Sequence, residues 1–201
     1  MSLIFVSGWA GFSYLYPNFS KFGIFITPFS VDFDEEKTVN FLKSQGGEIL
    51  IGWSTGAHII LKELETISKN FQSIILIAPF LDFISFTKEK ILDIMIENFK
   101  SNPEKVIKNF ITKCGANYHF TEKYNTELML TGLEFLKKSK IGHIHKTNNL
   151  FVIHGKKDKI VPFKESYKIV NNPVIIEGMN HYIEEKILEK YIYEITGKKI
   201  F

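Results

Sequence analysis

Six short apolar runs alternate along the chain with longer segments of helical period. This alternation predicts an α/β fold, in which crossover helices connect a mainly parallel sheet of about six strands. Each run is apolar almost throughout, which indicates strands with helices on both faces of the sheet. The predicted strands are residues 3–6, 23–27, 48–52, 73–78, 150–154 and 173–176.

Segment 81–149 interrupts the alternation, because it carries several helical patterns and no convincing strand. We interpret it as a helical lid inserted into a single domain that spans residues 1–201. A chain of 201 residues, 45% of them hydrophobic, can bury a core without disulfide bonds. Cys114 is the only cysteine, which excludes an intrachain disulfide and a four-thiolate zinc site and favours a reducing cytoplasm.

The composition argues against nucleic-acid and membrane partners. The formal net charge is +3, and all 25 basic residues are lysines, whereas the readout of bases in nucleic acids depends largely on arginine. No apolar run approaches the roughly 18 residues that cross a bilayer. The first residues lack the basic and long apolar regions of a signal peptide, so we expect a soluble, cytoplasmic protein.

The strongest local signal is a G-x-S-x-G motif, Gly52-Trp53-Ser54-Thr55-Gly56, between an apolar strand and an amphipathic helix. A sharp turn at this place presents the serine hydroxyl outside the sheet, and small flanking residues are needed because strand and helix crowd the turn. The motif therefore predicts Ser54 as a nucleophile. The alternative is an ordinary strand-to-helix turn whose serine caps the helix.

A nucleophilic serine on such a turn needs an acid and a histidine base, which follow it in that order along the chain. Asp158 follows the strand at 150–154, and His181 follows the strand at 173–176. Both lie beyond the carboxyl ends of strands, where an open parallel sheet forms its ligand crevice. We therefore predict Asp158 as the orienting acid and His181 as the base.

Other acids and histidines compete for these two roles. Asp158 could instead be a turn former, with Asp82 as the acid. His143 and His145 resemble a metal pair, but they lack a nearby cysteine or acid–histidine cluster, so no metal site is predicted. The histidines that compete with His181 are His58, His119, His143, His145 and His154.

An oxyanion hole needs two backbone N–H groups aimed at the oxygen that becomes negative in the transition state. Thr55 supplies one by its place after the serine. The loop at 7–11 follows the first strand and contains glycines that let it turn back, so the N–H of Trp9 is the second candidate. Trp9 and Trp53 are also the candidate residues of the substrate pocket.

Together these residues resemble the α/β-hydrolases of the serine esterase type, over almost the whole chain. The narrower likeness of Gly8-Trp9-Ala10-Gly11, Gly52-Trp53-Ser54 and segment 130–141 is to the pimeloyl-[acyl-carrier protein] methyl ester esterases of biotin synthesis. The resemblance implies a helical lid over an apolar acyl channel, no cofactor, and an acyl-carrier protein bearing a pimeloyl methyl ester as partner. The site residues that it implies are Ser54, Asp158 and His181 as the triad, with Trp9 and Thr55 around the oxyanion.

The chain also departs from this family. Ser7 stands where the family has histidine, Ala10 stands where it has glycine, and the first two family strands are missing. The predicted lid has eleven lysines against eight acids and no arginine, so lysines would have to meet the acidic carrier. A general short-chain carboxylesterase acting on small esters, an acyl thioesterase and a non-catalytic binding module remain alternatives.

Overall fold

A computed structural model describes residues 2–119 and 123–201 of the chain. Its sheet has six strands in the order β2-β1-β3-β4-β5-β6, and every neighbouring pair is parallel. The predicted fold class and all six predicted strands are confirmed, with strand ends displaced by two residues or fewer. The strands are β1 (Leu3–Val6), β2 (Ile24–Ile26), β3 (Gly47–Trp53), β4 (Phe71–Ile77), β5 (Leu150–Gly155) and β6 (Val174–Ile176).

Helices cover both faces of this sheet. Successive strand residues point to opposite faces, so Ile49 and Ile51 of β3 join one buried cluster while Leu50 joins another. Buried side chains of α1, α5–α8 complete the first cluster, and those of α2–α4 complete the second. The helices are α1 (Pro17–Phe22), α2 (Glu35–Ser44), α3 (Thr55–Lys62), α4 (Leu64–Ile67), α5 (Glu89–Ser101), α6 (Pro103–Cys114), α7 (Thr126–Lys138) and α8 (Glu185–Thr196).

The segment predicted as an insertion contains the helices α5, α6 and α7, which pack on one another. An isolated antiparallel bridge between Asp82 and Lys140 joins the chain before α5 to the chain after α7. Residues 120–122 of the predicted insertion lie outside the described residues. In the described parts of the chain, no helix has the length and apolarity needed to cross a bilayer.

Candidate active site

Ser54 lies at a sharp turn between β3 and α3, with backbone angles φ +54° and ψ −113°. Such a conformation is strained for a residue with a Cβ atom, and strain of this kind is concentrated at functional sites. A Cβ on Gly56 would lie 2.2 Å from the carbonyl oxygen of Val6, so only glycine lets α3 approach β1 this closely. The Ser54 side chain makes no capping hydrogen bond, which argues against a purely structural capping role.

The side chain of Asp158 is fully buried in the loop after β5, and its carboxylate is held by backbone and side chains together. Oδ1 accepts hydrogen bonds from the backbone N–H groups of Ile160 (2.7 Å) and Val161 (2.9 Å). Oδ2 accepts one from His181 Nδ1 at 2.7 Å. Asp158 is thus a turn former and the partner of His181 at once, so the two interpretations of this residue are compatible.

The electrostatic surroundings keep Asp158 ionised. Burial raises the pKa of its carboxyl group, but the charges and hydrogen bonds of His181 and His154 outweigh burial and hold the pKa well below its usual range. A carboxylate can only accept hydrogen bonds, so Nδ1 of His181 carries a proton. In the neutral ring the other nitrogen, Nε2, then carries a lone pair.

His181 is buried, and its Nε2 has no hydrogen-bond partner among the described residues. Its backbone carbonyl accepts a hydrogen bond of 3.0 Å from the indole N–H of Trp53, the residue directly before Ser54. The two rings lie with their centroids 5.4 Å apart. His181 therefore contacts Asp158 and Trp53, the residue before Ser54. No hydrogen bond joins the Ser54 hydroxyl to His181 Nε2. Catalytic hydrogen bonds often tighten only when substrate binds.

The loops that carry Asp158 and His181 are paired through their backbones. Lys156 N–H donates to the carbonyl of Ile176 at 3.0 Å, and Lys157 N–H donates to that of Met179 at 2.8 Å. A Cβ on Gly155 would lie 2.1 Å from the carbonyl oxygen of Asn180. Only glycine at the end of β5 therefore allows the loop before His181 to lie this close.

The loop after β1 packs directly against Ser54, as the oxyanion-hole prediction requires. A Cβ on Gly8 would lie 3.1 Å from the Cβ of Ser54. The N–H of Trp9 donates to the hydroxyl of Thr55 at 3.3 Å, which is long for such a bond. Thr55 is the first residue of α3, where backbone N–H groups have no partner within the helix.

The competing acid and base candidates have other contacts. Asp82 caps the short helical turn that follows it, accepting from Ile84 N–H at 3.1 Å, and lies 3.5 Å from the ammonium group of Lys140. In His58, burial lowers the pKa to about 4, and the ring bridges the carbonyl of Phe80 and the hydroxyl of Ser139. Among the described residues, no group of three or more histidines, cysteines or acids could hold a metal ion.

His154 makes a contact to Asp158 that the sequence did not predict. Its Nε2 lies 3.0 Å from Asp158 Oδ2, the oxygen that also binds His181. Its Nδ1 lies 2.6 Å from the hydroxyl of Ser166. A histidine and an aspartate four residues apart, where a strand runs into a loop, could have signalled this contact.

A cavity of about 680 Å³ lies between α5, α6 and the loop that bears Asp158. Neither Trp9 nor Trp53 lines it, so their assignment to the substrate pocket stays a prediction. Both are buried in the core, where the indole N–H of Trp9 donates to the carbonyl of Met129 and that of Trp53 donates to His181. The lining residues are Phe83, Phe86, Thr87, Lys88, Ile91, Leu92, Ile94, Met95, Asn98, Val106, Asn109, Phe110, Lys113, Leu136, Asp158, Lys159, Ile160 and Pro162.

Solved structures share this architecture over nearly the whole chain. A lipase-esterase related protein from Clostridium acetobutylicum superposes with a TM-score of 0.69 at 15% identity, covering 96% of this chain and 93% of its own. An esterase from Thermogutta terrifontis gives 0.64 at 12% identity, covering 98% and 90%. A monoacylglycerol lipase from Paleococcus ferrophilus gives 0.60 at 13% identity, covering 98% and 94%.

The chain has the α/β-hydrolase fold. No family model matches its sequence, and no curated protein does. At these identities the likeness establishes the fold, and the activity has to be argued from the site itself.

Proposed function

We propose that this α/β-hydrolase cleaves carboxylic esters, with Ser54 as nucleophile, His181 as base and Asp158 as orienting acid. The observation that carries the proposal is the hydrogen bond of 2.7 Å between His181 Nδ1 and Asp158 Oδ2. It leaves a lone pair on Nε2 of the neutral ring, and the His181 ring lies 5.4 Å from that of Trp53, the residue before Ser54. The fold shared with proteins described as esterases and lipases supports the same activity.

Hydrolysis proceeds through an acyl-enzyme in two half-reactions. His181 Nε2 takes the proton of Ser54 Oγ as this oxygen attacks the ester carbonyl, and gives it to the leaving alcohol when the carbon–oxygen bond breaks. Water, deprotonated by the same nitrogen, then attacks the acyl group. The proton returns to Ser54 Oγ as the acid leaves, and Asp158 stays ionised throughout.

The proposed oxyanion donors are the backbone N–H groups of Thr55 and Trp9. The Trp9 N–H already donates to the Thr55 hydroxyl, but at 3.3 Å this bond is weak. A developing oxyanion is a stronger acceptor than a hydroxyl and can compete for the same donor.

For the substrate, we propose the methyl ester of a pimeloyl group carried by an acyl-carrier protein, as the resemblance of the motifs implies. The cavity beside Asp158 supports an apolar acyl chain, because aliphatic and aromatic side chains make up most of its lining. Lys88, Lys113 and Lys159 also line it and supply positive charge towards an acidic carrier.

Substitution of the proposed nucleophile tests the reaction. Ser54→Ala should lower kcat for a p-nitrophenyl ester by several orders of magnitude, because the triad acts as a unit. A serine-directed phosphonate should label the wild-type protein and not this variant. The exposed Ser44 provides the matched control, since Ser44→Ala should keep both turnover and labelling. Turnover retained by Ser54→Ala contradicts the assignment, and an unlabelled, inactive wild type indicates a binding module.

A substrate comparison tests the finer proposal. The rate on pimeloyl-carrier methyl ester should exceed that on free short-chain esters at low salt, and the preference should shrink at high salt because lysine contacts are screened. Equal rates on both substrates at both salt concentrations would favour a general short-chain esterase.

A further inference from the structure

His154 lies near the end of β5, fully buried, with both ring nitrogens engaged. Nε2 lies 3.0 Å from Asp158 Oδ2 and 3.0 Å from the carbonyl oxygen of Val161. Both of these oxygens can only accept, so Nε2 carries a hydrogen atom. In the neutral ring Nδ1 then accepts from the hydroxyl of Ser166, at 2.6 Å.

These contacts exclude His154 as the base and give it a different task. We propose that His154 is a positioning residue, which holds Asp158 Oδ2 in place for His181 and thereby fixes the tautomer of His181 that can accept a proton from Ser54. The inference rests on the proposed function, because it assigns a role within the same relay.

The hydrogen-bond count on the carboxylate shows why a second histidine matters. Oδ1 is held by two backbone N–H groups in its own loop, those of Ile160 and Val161. Oδ2 has no backbone donor in the described structure and receives only the two imidazoles, His181 at 2.7 Å and His154 at 3.0 Å. Without His154, only the bond to the catalytic histidine itself would restrain Oδ2.

Ser166 extends the support by one further bond. Its hydroxyl is buried and can donate to Nδ1 of the neutral ring, because the two acceptors at Nε2 place the ring hydrogen there. Ser166, His154, Asp158 and His181 therefore form one continuous chain of hydrogen bonds that ends at the free lone pair of His181 Nε2.

Other ionisable groups near Asp158 must be considered before a pH profile is interpreted. Burial and the charge of Asp158 raise the pKa of the Cys114 thiol well above its usual value, so the thiol stays neutral in the assay range. Two histidines, one cysteine and three lysines act on Asp158 or line the cavity with it. They are His154 of β5, His181 of the loop after β6, Cys114 and Lys113 of α6, Lys88 just before α5, and Lys159 of its own loop.

Two amide substitutions separate positioning from mere space filling. His154→Gln places an amide N–H close to the former Nε2 and keeps a donor for Asp158, whereas the shorter side chain of His154→Asn reaches only the former Nδ1 position. We expect kcat for a p-nitrophenyl ester to fall roughly 10- to 100-fold in His154→Asn. His154→Gln should restore most of it, and KM should change little in either variant.

The pH profile and a control variant complete the kinetic test. The acid limb of the kcat/KM profile should move in His154→Asn and stay in place in His154→Gln. His58→Asn is the matched control, because His58 is an equally buried histidine that does not contact Asp158. His58→Asn should be less stable than the wild type, but the acid limb of its kcat/KM profile should not move. Equal losses in the Asn and Gln variants with an unmoved limb would overturn the proposal.

A spectroscopic measurement decides the role of His154 independently of turnover. In Ser54→Ala protein labelled with ¹⁵N-histidine, we expect the ring hydrogen of His154 on Nε2 and that of His181 on Nδ1. Adding His154→Asn should lower the fraction of His181 with its hydrogen on Nδ1. An unchanged His181 tautomer overturns the positioning role, whereas wild-type protein that lacks turnover but shows this dependence overturns only the proposed function.

Discussion

Around Asp158, four hydrogen-bond donors converge on one buried carboxylate, whereas helices α5 to α7 meet the same region mainly through aromatic and aliphatic side chains. Trp9 illustrates the second kind of contact, since its ring packs edge-on against Phe99 and Phe110. Hydrogen bonds are directional and packing is not. We therefore expect substitutions at the Asp158 carboxylate to cost more than substitutions in the packing of α5 to α7, and each prediction below tests one of these two regions.

The largest effect is expected from Asp158→Asn. An amide cannot accept from all four donors, and its NH₂ group would oppose the N–H of His181 and favour the wrong tautomer. We expect kcat for a p-nitrophenyl ester to fall by roughly 10³- to 10⁴-fold. The variant should be shown to be folded by circular dichroism. A loss in kcat below about tenfold would then contradict the importance of the hydrogen bonds on Asp158.

The next effect concerns His58, the polar link between α3 and the end of the predicted lid. Its pKa is lowered by burial to about 4, so below the ordinary value of 6.5 the unfolded chain binds a proton that the folded protein does not. The free energy of unfolding should therefore fall as the pH drops from about 6.5 to 4, by up to about 1.4 kcal/mol per pH unit from this residue.

Urea unfolding of wild type and His58→Asn across this range measures that contribution. The slope of unfolding free energy against pH should be smaller in the variant, since it lacks the titrating ring. His143→Asn, at an exposed position, controls for the loss of a histidine elsewhere. Identical slopes in wild type and His58→Asn would show that the buried ring does not stay neutral on acidification.

A smaller effect is expected where α7 packs on Trp9. A Cβ on Gly132 would lie 2.7 Å from Cδ1 of Trp9 and 2.8 Å from Cβ of Phe29, so Gly132→Ala forces the helix outward. We expect a loss of about 1–3 kcal/mol in unfolding free energy. Gly142→Ala is the matched control, because nothing lies within 4 Å of the added atom. Equal stability of both variants would mean that Trp9 and Phe29 move aside at little cost in free energy.

The smallest effect on stability is expected from Ile91→Ser at the cavity. Ile91 is 50% exposed, so the unfolding free energy should change by about 0.5 kcal/mol or less. The KM for a long-chain ester should rise while that for an acetyl ester stays constant, because only the longer chain reaches this part of the cavity. An equal change in KM for the long-chain ester and the acetyl ester would indicate that the acyl chain does not bind in this cavity.

The strands and the turn at Ser54 could be predicted because their signals are local. Apolar runs and the glycines of the motif reflect conditions within a few residues, such as the crowding that admits no Cβ at Gly56. The order of Ser54, Asp158 and His181 was informative because the carboxyl ends of parallel strands share one edge. The contact between Asp158 and His181 follows from that topology.

The cavity and the support of the acid could not be predicted in the same way. Trp9 bonds to Met129 across 120 positions in sequence, and periodicity carries no information about which helix covers which loop. The aromatic character of Trp9 suggested a pocket wall. In the structure its indole N–H donates to Met129, and its ring packs against Phe99 and Phe110 in the core. His154 was one of six histidines, and its second contact, Ser166, depends on how the chain after β5 folds back.

The backbone pairing between the loops after β5 and β6 has a mechanical consequence. The backbone N–H groups of Lys156 and Lys157 bind carbonyl groups of the other loop, and Gly155 lets the two loops pack closely. Asp158 and His181 should therefore move together when either loop moves, although Ser54 itself is only 5% accessible.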